Sequence, residues 1–282
     1  MKKQKFINLA NQNIGIKLGR FSTKQHHKLQ FPKKNWINEF KLSKLLGIGN
    51  IEWVVDYYGF NNNPLMSRNG RNKIKAIKKK YKIEISNVTA DFFLHKPPHK
   101  LKKKKYLLFK DKFRLFLYSC IDLKIKNIIV PFLEKSKIRN NKEVEKITIF
   151  LKEFENIILK KKINIIFETD LPSSQFIKFL NNFNIKSYFI NYDTGNSAGL
   201  KKKFEREKKI FPMVKNIHLK DKNKYNKSVD LGKGLFNFQL FFRYIKKINY
   251  KGKYILEAYR GANNYDRNKR NLLFINKILS NI

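Results

Sequence analysis

Apolar and polar residues alternate along this chain in a repeating pattern. Short runs of mostly apolar, often β-branched residues are separated by longer stretches in which apolar positions recur every three or four residues. The short runs predict strands at 14–19, 51–56, 83–91, 127–132, 164–170, 188–193, 214–221 and 253–257. The longer stretches predict helices at 36–46, 69–81, 106–123, 142–161, 200–211, 236–248 and 265–279. One more carries Phe176, Ile177 and Leu180, with Ser173 as its expected cap. Trp36, Ile37, Phe40, Leu42, Leu45 and Leu46 make one such helical face, and Gly47 ends it. Strands and helices in strict alternation predict the α/β class and, within it, a single (β/α)8 TIM barrel. The barrel is expected over 14–282, after a polar N-terminal segment at 1–13.

The length of 282 residues suits one such barrel, for which about 250 residues is typical. No apolar run approaches the ~18 residues of a membrane span, and residues 1–13 hold no long apolar stretch of the secretory kind. The single cysteine, Cys120, excludes an internal disulfide and suits a reducing compartment. A cytoplasmic protein with no membrane partner is expected.

A formal charge of +42 changes the picture less than its size suggests. Only ten of the 63 basic residues are Arg, and the Lys accompanies heavy use of Asn and Ile, the composition an AT-rich coding sequence produces. Most lysines fall on the polar stretches between strands, as solvated helix faces do. No specific nucleic-acid partner is therefore expected, although low-salt adhesion to polyanions is. Self-association into a homo-oligomer is compatible with the sequence.

The chemistry sits at the strand ends. Four consecutive predicted strands finish at Glu168, Asp193, His218 and Glu257. In a parallel barrel all strand C-termini open on one face, so these residues converge there. Taken alone, His218 would be a satisfied core histidine. Beside three carboxylates it implies a divalent cation that offsets their repulsion, and the oxygen and imidazole set without thiolate suits Mn, Mg, Co or Zn. Asp221 or Asn191 is a candidate to orient the imidazole.

A metal held this way can polarise a carbonyl and the neighbouring hydroxyl of a sugar. Glu168 and Glu257, on the fifth and eighth strands, are then candidates to remove and return the proton beside that carbonyl. Lys220 and Arg260 follow the strand-end residues closely and are candidates for binding an anionic substrate. The reaction expected is isomerisation or epimerisation of a ketose or ketose phosphate through a metal-stabilised enediolate.

Five motifs in order carry a resemblance: Glu168; Asp193-Thr194-Gly195-Asn196; His218-Leu219-Lys220-Asp221; Gly232-Lys233-Gly234; and Glu257-Ala258-Tyr259-Arg260. Together they resemble the xylose isomerase-like sugar phosphate isomerases and epimerases, closest to the hexulose-6-phosphate isomerase or L-ribulose-5-phosphate 3-epimerase type. The resemblance implies one divalent metal on Glu168, Asp193, His218 and Glu257, with the two glutamates as the acid/base pair. Many epimerases of the group carry a His where this chain has Asn196, and Asn196 as a substrate contact suggests a phosphate-type branch or another hydroxyl pattern. Sugar-acid and inosose-type dehydratases would use the same ligands. Abasic-site DNA endonucleases of the superfamily need more histidines than the five present here, and their Asp-x-His after strand seven is missing. In the N-terminal half Glu52, Asp91 and His95 are candidates for substrate contacts or structural roles.

Overall fold

Branched aliphatic residues in the short runs form strands that pair only with parallel neighbours, and the amphipathic stretches between them return the chain over the outside. The computed structural model describes residues 13–23 and 30–282. Residues 1–12 of the predicted polar segment and the His26-His27 pair lie outside the described residues.

The first half of the chain runs β1 (Ile14–Lys17), α1 (Trp36–Leu45), β2 (Asn50–Val54), α2 (Arg68–Tyr81), β3 (Glu84–Thr89), α3 (Phe92–His95), α4 (Lys103–Asp122) and β4 (Asn127–Phe132). It continues with α5 (Asn141–Lys152), α6 (Glu155–Lys160), β5 (Asn164–Thr169), α7 (Ser173–Leu180), β6 (Tyr188–Asp193), α8 (Thr194–Gly199) and α9 (Phe204–Glu207). The last part is β7 (Val214–Leu219), a small hairpin of β8 (Asp221–Lys222) and β9 (Ser228–Val229), then α10 (Phe238–Lys247), β10 (Lys253–Leu256) and α11 (Asn264–Ser280).

Eight strands close into a barrel in the order β1, β10, β7, β6, β5, β4, β3, β2, as a single (β/α)8 fold requires. Register places Asp193 beside His218 and His218 beside Ile255, so the strand-end residues share one rim. Outside the barrel an aromatic layer fastens the helices. Phe113 lies 5.7 Å from Phe93, 5.2 Å from Phe150 and 4.8 Å from Phe154, measured between ring centroids. Cys120 is buried in the same layer. By contrast α2 buries only Ile74 and presents Lys73, Lys75, Lys79 and Lys80 to solvent.

A chain of asparagine amides runs from strand to strand. Asn164 donates to Asn127, Asn127 to Asn87, Asn87 to Asn216, and Asn216 to Asn191, at 2.7–2.9 Å. Asn127, Asn87, Asn216 and Asn191 each accept one amide and donate to the next group, so polar atoms that would each cost about 1–3 kcal/mol unpaired satisfy one another along a ladder toward the mouth.

Four local expectations are corrected. The predicted helix 142–161 breaks between α5 and α6, which swings Phe154 onto Phe113. Ser173 is the first helical residue rather than the cap, and Pro172 precedes it. The predicted helix 200–211 is reduced to α9 and a 3-10 turn at Lys208–Met213, with the short α8 ahead of it. The Asp193 carboxylate caps Thr194–Gly199 directly, and Pro212, lacking an N–H, sits in the tighter turn. The hairpin after β7 was not expected from the run of charges there. Among the described residues no helix is long and apolar enough to cross a membrane.

Candidate active site

Strand ends bring the four predicted residues to one place. Glu168 is the penultimate residue of β5, Asp193 ends β6, His218 lies in β7, and Glu257 follows β10 directly. All four are at most 8 % exposed. Glu168, Asp193 and His218 each offer an atom within 4.8 Å of the others, a group that can hold a metal ion. Glu257 Oε2 approaches the same imidazole, 3.0 Å from Nδ1, while Glu168 Oε2 lies 3.4 Å from it.

Two buried polar atoms there have no hydrogen-bond partner among the described residues. Asp193 Oδ1 accepts the Asn196 N–H at 2.7 Å as a helix cap, but among the described residues Oδ2 has no hydrogen bond, with Lys220 Nζ 3.9 Å away. His218 Nδ1 also lacks a well-aligned hydrogen bond despite its two close carboxylates. A buried nitrogen and a buried carboxylate oxygen aimed at one spot fit a divalent cation.

The imidazole is held from behind. Glu52 Oε1 lies 3.0 Å and Oε2 3.2 Å from His218 Nε2, and both residues are fully buried. Glu52 is itself fixed by Thr89 Oγ1 at 2.6 Å and Asn87 Nδ2 at 3.2 Å. The orienting part expected of Asp221 or Asn191 therefore falls to Glu52. Asp221 instead accepts from the N–H groups of Lys222, Gly232, Gly234 and Phe236, which organises the loop containing the two glycines. Asn191 donates to Glu168 Oε2 at 2.9 Å.

The two glutamates have different surroundings. Glu168 accepts from two neutral amides, Asn191 and, at 2.8 Å, Asn196. Glu257 Oε1 meets three cations: Arg20 Nη2 at 2.8 Å, Lys17 Nζ at 3.4 Å and Lys220 Nζ at 3.9 Å. Burial would raise the Glu257 carboxyl, but Lys17, Lys220 and Arg20 overcome it and hold the group well below the usual carboxylate range. Burial opposes charge on His218 as well, yet Glu52, Glu168 and Glu257 raise the imidazole well above the ordinary histidine range.

Above these residues opens a cavity of about 480 Å³, lined among others by Glu168, Glu257, Lys17, Arg20, Asp91 and Asn196. Lys220 and Arg260 line it too. Arg260 also fastens the loop after β1, donating to the carbonyls of Ser22 at 3.1 Å and Gln30 at 3.0 Å. Glu39 holds the same loop through Gly19 N–H, Phe21 N–H and the Ser22 hydroxyl, and so delivers Arg20 to Glu257.

Of the N-terminal candidates, Glu52 backs His218 and Asp91 lines the cavity, whereas His95 packs edge-on against Tyr58 with ring centroids 5.2 Å apart. Lys17 and Arg20 escaped the sequence reading. Their one local signal is a lysine between Ile16 and Leu18, in a strand otherwise apolar.

Asp91 supports a pH prediction. Burial, opposed by Lys17 but reinforced by Asp56 and Glu257, pushes its carboxyl up from 3.8 to about 7. The folded state then keeps a proton that the unfolded chain has lost, so this contribution to stability is complete below about pH 4 and is lost as pH rises through about 7. Asp91→Asn is expected to raise the urea midpoint of metal-free protein at pH 8 while changing it little at pH 4. An unchanged difference between the two pH values would refute the assignment.

A β/α barrel with a buried carboxylate and imidazole group at the C-terminal mouth is the class that fold and site define. The profile of the xylose isomerase-like TIM barrel family matches residues 40–278, and the chain belongs to that family.

Solved structures agree on the fold. A D-psicose 3-epimerase determined in the presence of D-fructose is 14% identical, with a TM-score of 0.73 over 95% of this chain and 99% of its own. The 3-keto-D-glucoside 4-epimerase of E. coli is also 14% identical, with a TM-score of 0.69 over 94% of this chain and 99% of its own. A xylose isomerase-like TIM barrel protein from Mycobacterium smegmatis, in complex with magnesium, is 13% identical, with a TM-score of 0.69 over 95% and 97%. No curated protein matches the chain by sequence.

Proposed function

We propose that this protein is a metal-dependent isomerase or epimerase of a ketose or ketose phosphate, which moves a proton at a carbon beside the carbonyl. The observation that carries this reading is the convergence of Asp193 Oδ2 and His218 Nδ1, two buried atoms without a hydrogen-bond partner among the described residues, with Glu168 and Glu257 beneath a cavity of sugar size. Epimerases among the similar folds support it.

Glu168, Asp193, His218 and Glu257 would hold one divalent ion, Mn, Mg, Co or Zn. When bound, the ion supplies a Lewis acid for a carbonyl and its neighbouring hydroxyl.

The chain's own groups do the rest. Glu168, hydrogen-bonded to the amides of Asn191 and Asn196 and 3.4 Å from His218 Nδ1, meets fewer cations than Glu257 and is the better placed of the two glutamates to accept a proton. Glu257 completes the acid/base pair from the eighth barrel strand, with its Oε1 steadied by Arg20 and Lys17. Lys220, Arg260 and Asn196 bind and orient the substrate from the cavity wall.

The test is solvent deuterium incorporation, followed by NMR, with protein supplied with each metal and a panel of pentuloses, hexuloses and their phosphates. Exchange at a carbon next to the carbonyl is expected, and it identifies substrate and position together. Absence of exchange throughout, with loss of water from a sugar acid or inosose instead, would replace the reading by a dehydratase on the same residues.

A further inference from the structure

Most cations lining the cavity stand beside a carboxylate of this chain. Lys17 and Arg20 bind Glu257, Lys220 stands between Asp193 and Glu257, and Lys137 pairs with Asp170 at 2.5 Å. Lys222 differs. It lines the cavity from β8, half-buried, and its ammonium makes one hydrogen bond, to Asn196 Oδ1 at 3.4 Å. Among the described residues no carboxylate forms an ion pair with it. Burial lowers its affinity for its proton, and the Lys220 charge lowers it further, so the ammonium is held at a cost that an incoming anion would remove.

Neutral donors surround this lysine. Asn226 and Ser228, from the hairpin, line the same wall, and Asn226 takes a left-handed conformation with φ 59° in a turn closed by Asn223. Across from them α8 ends at Gly199. A Cβ there would stand 2.4 Å from Asn226 Oδ1 and 3.2 Å from Lys222 Nζ, so both side-chain ends would have to shift to admit it.

Position relative to the reacting groups follows from Asn196. Its Oδ1 faces Lys222, and its Nδ2 donates to Glu168 at 2.8 Å. Lys222 is thus one amide and two hydrogen bonds away from Glu168, too far to touch the carbon that loses its proton and well placed for the other end of a five- or six-carbon chain.

We propose that Lys222, Asn226 and Ser228 form a seat for a terminal oxyanion, phosphate or carboxylate, and that the substrate is a sugar charged at the end remote from its carbonyl. This rests on the isomerase or epimerase reading above and narrows its substrate class.

Two measurements test it. In the deuterium-exchange assay, wild type is expected to favour a charged ketose over its free counterpart in kcat/KM. Lys222→Met should shrink that preference about 10- to 100-fold, the loss of one hydrogen bond to a charged group. A preference for phosphates identifies a phosphate substrate and one for terminal carboxylates a sugar acid. An equal ratio in both proteins would overturn the seat while leaving the isomerase reading intact.

The second measurement needs no turnover. Inorganic phosphate, and separately acetate, is titrated into isotopically labelled metal-free protein. A saturable shift of the Asn226 side-chain amide, lost in Lys222→Met but kept in the surface control Lys103→Met, is expected. No such shift with either ion would refute the seat. A shift without exchange of any sugar would retain the seat and refute the isomerase reading.

Discussion

Glu168→Gln is expected to slow solvent deuterium exchange by about 10²–10⁴-fold while the protein stays folded. Glutamine keeps the shape but cannot take the proton. Its new NH₂ faces one of the two amide donors, Asn191 or Asn196, which costs about 1 kcal/mol in lost hydrogen bonding.

The companion variant should behave differently in one respect. Glu257→Gln also removes activity, but it leaves Lys17 and Arg20 buried without their carboxylate, so a further destabilisation of about 3–5 kcal/mol is expected. Urea unfolding of the two metal-free variants separates the predictions. Wild-type exchange in Glu168→Gln would exclude this residue as the proton acceptor, and equal stability of the two variants would refute the inequality of their surroundings.

His218→Ala is expected to destabilise the protein about as strongly as Glu257→Gln. Glu52 is fully buried, and the imidazole is its cationic partner, at 3.0 Å. Removing one member of a buried pair leaves the other charged and desolvated, at a cost of about 3–5 kcal/mol. The same variant should show no rise in unfolding temperature on addition of divalent metal, because a nitrogen of the metal-binding group is gone.

A gentler change isolates the orienting role. Glu52→Gln keeps a hydrogen-bonding group behind Nε2 but loses the charge, and metal affinity by titration calorimetry is expected to fall about 10- to 100-fold. Wild-type affinity in Glu52→Gln would show that the imidazole is aligned without that carboxylate.

Much of this molecule was legible along the chain because the relevant signals are local. A run such as Asn164-Ile165-Ile166-Phe167 is buried on both faces only inside a parallel sheet wrapped by helices, and eight such runs left little but a barrel. That Glu168, Asp193 and His218 would meet at one rim, with Glu257 against the imidazole, was equally readable. Parallel closure sends every strand's C-terminal end to one rim whatever lies between, so sequence position at a strand end already specifies place in space.

Partnership was not readable in this way. Glu52 meets His218 across 166 positions of sequence, and Arg20 meets Glu257 across 237. Nothing in Ile51-Glu52-Trp53 says whether that carboxylate faces substrate or stands behind an imidazole, since both are polar positions on the inside of a strand.

Local competition also hid parts of the mouth. Asp193-Thr194-Gly195-Asn196 reads as a turn, yet the Asp193 carboxylate both caps α8 and leaves its second oxygen for the centre. Lys222 looked like one more surface lysine until the β8–β9 hairpin laid it along the cavity wall. Periodicity and strand-end chemistry alone determined the barrel and the side chains that gather at its mouth. Tertiary packing decided which lone pair and which charge each of them has left to use, because burial and pairing depend on neighbours supplied by distant strands.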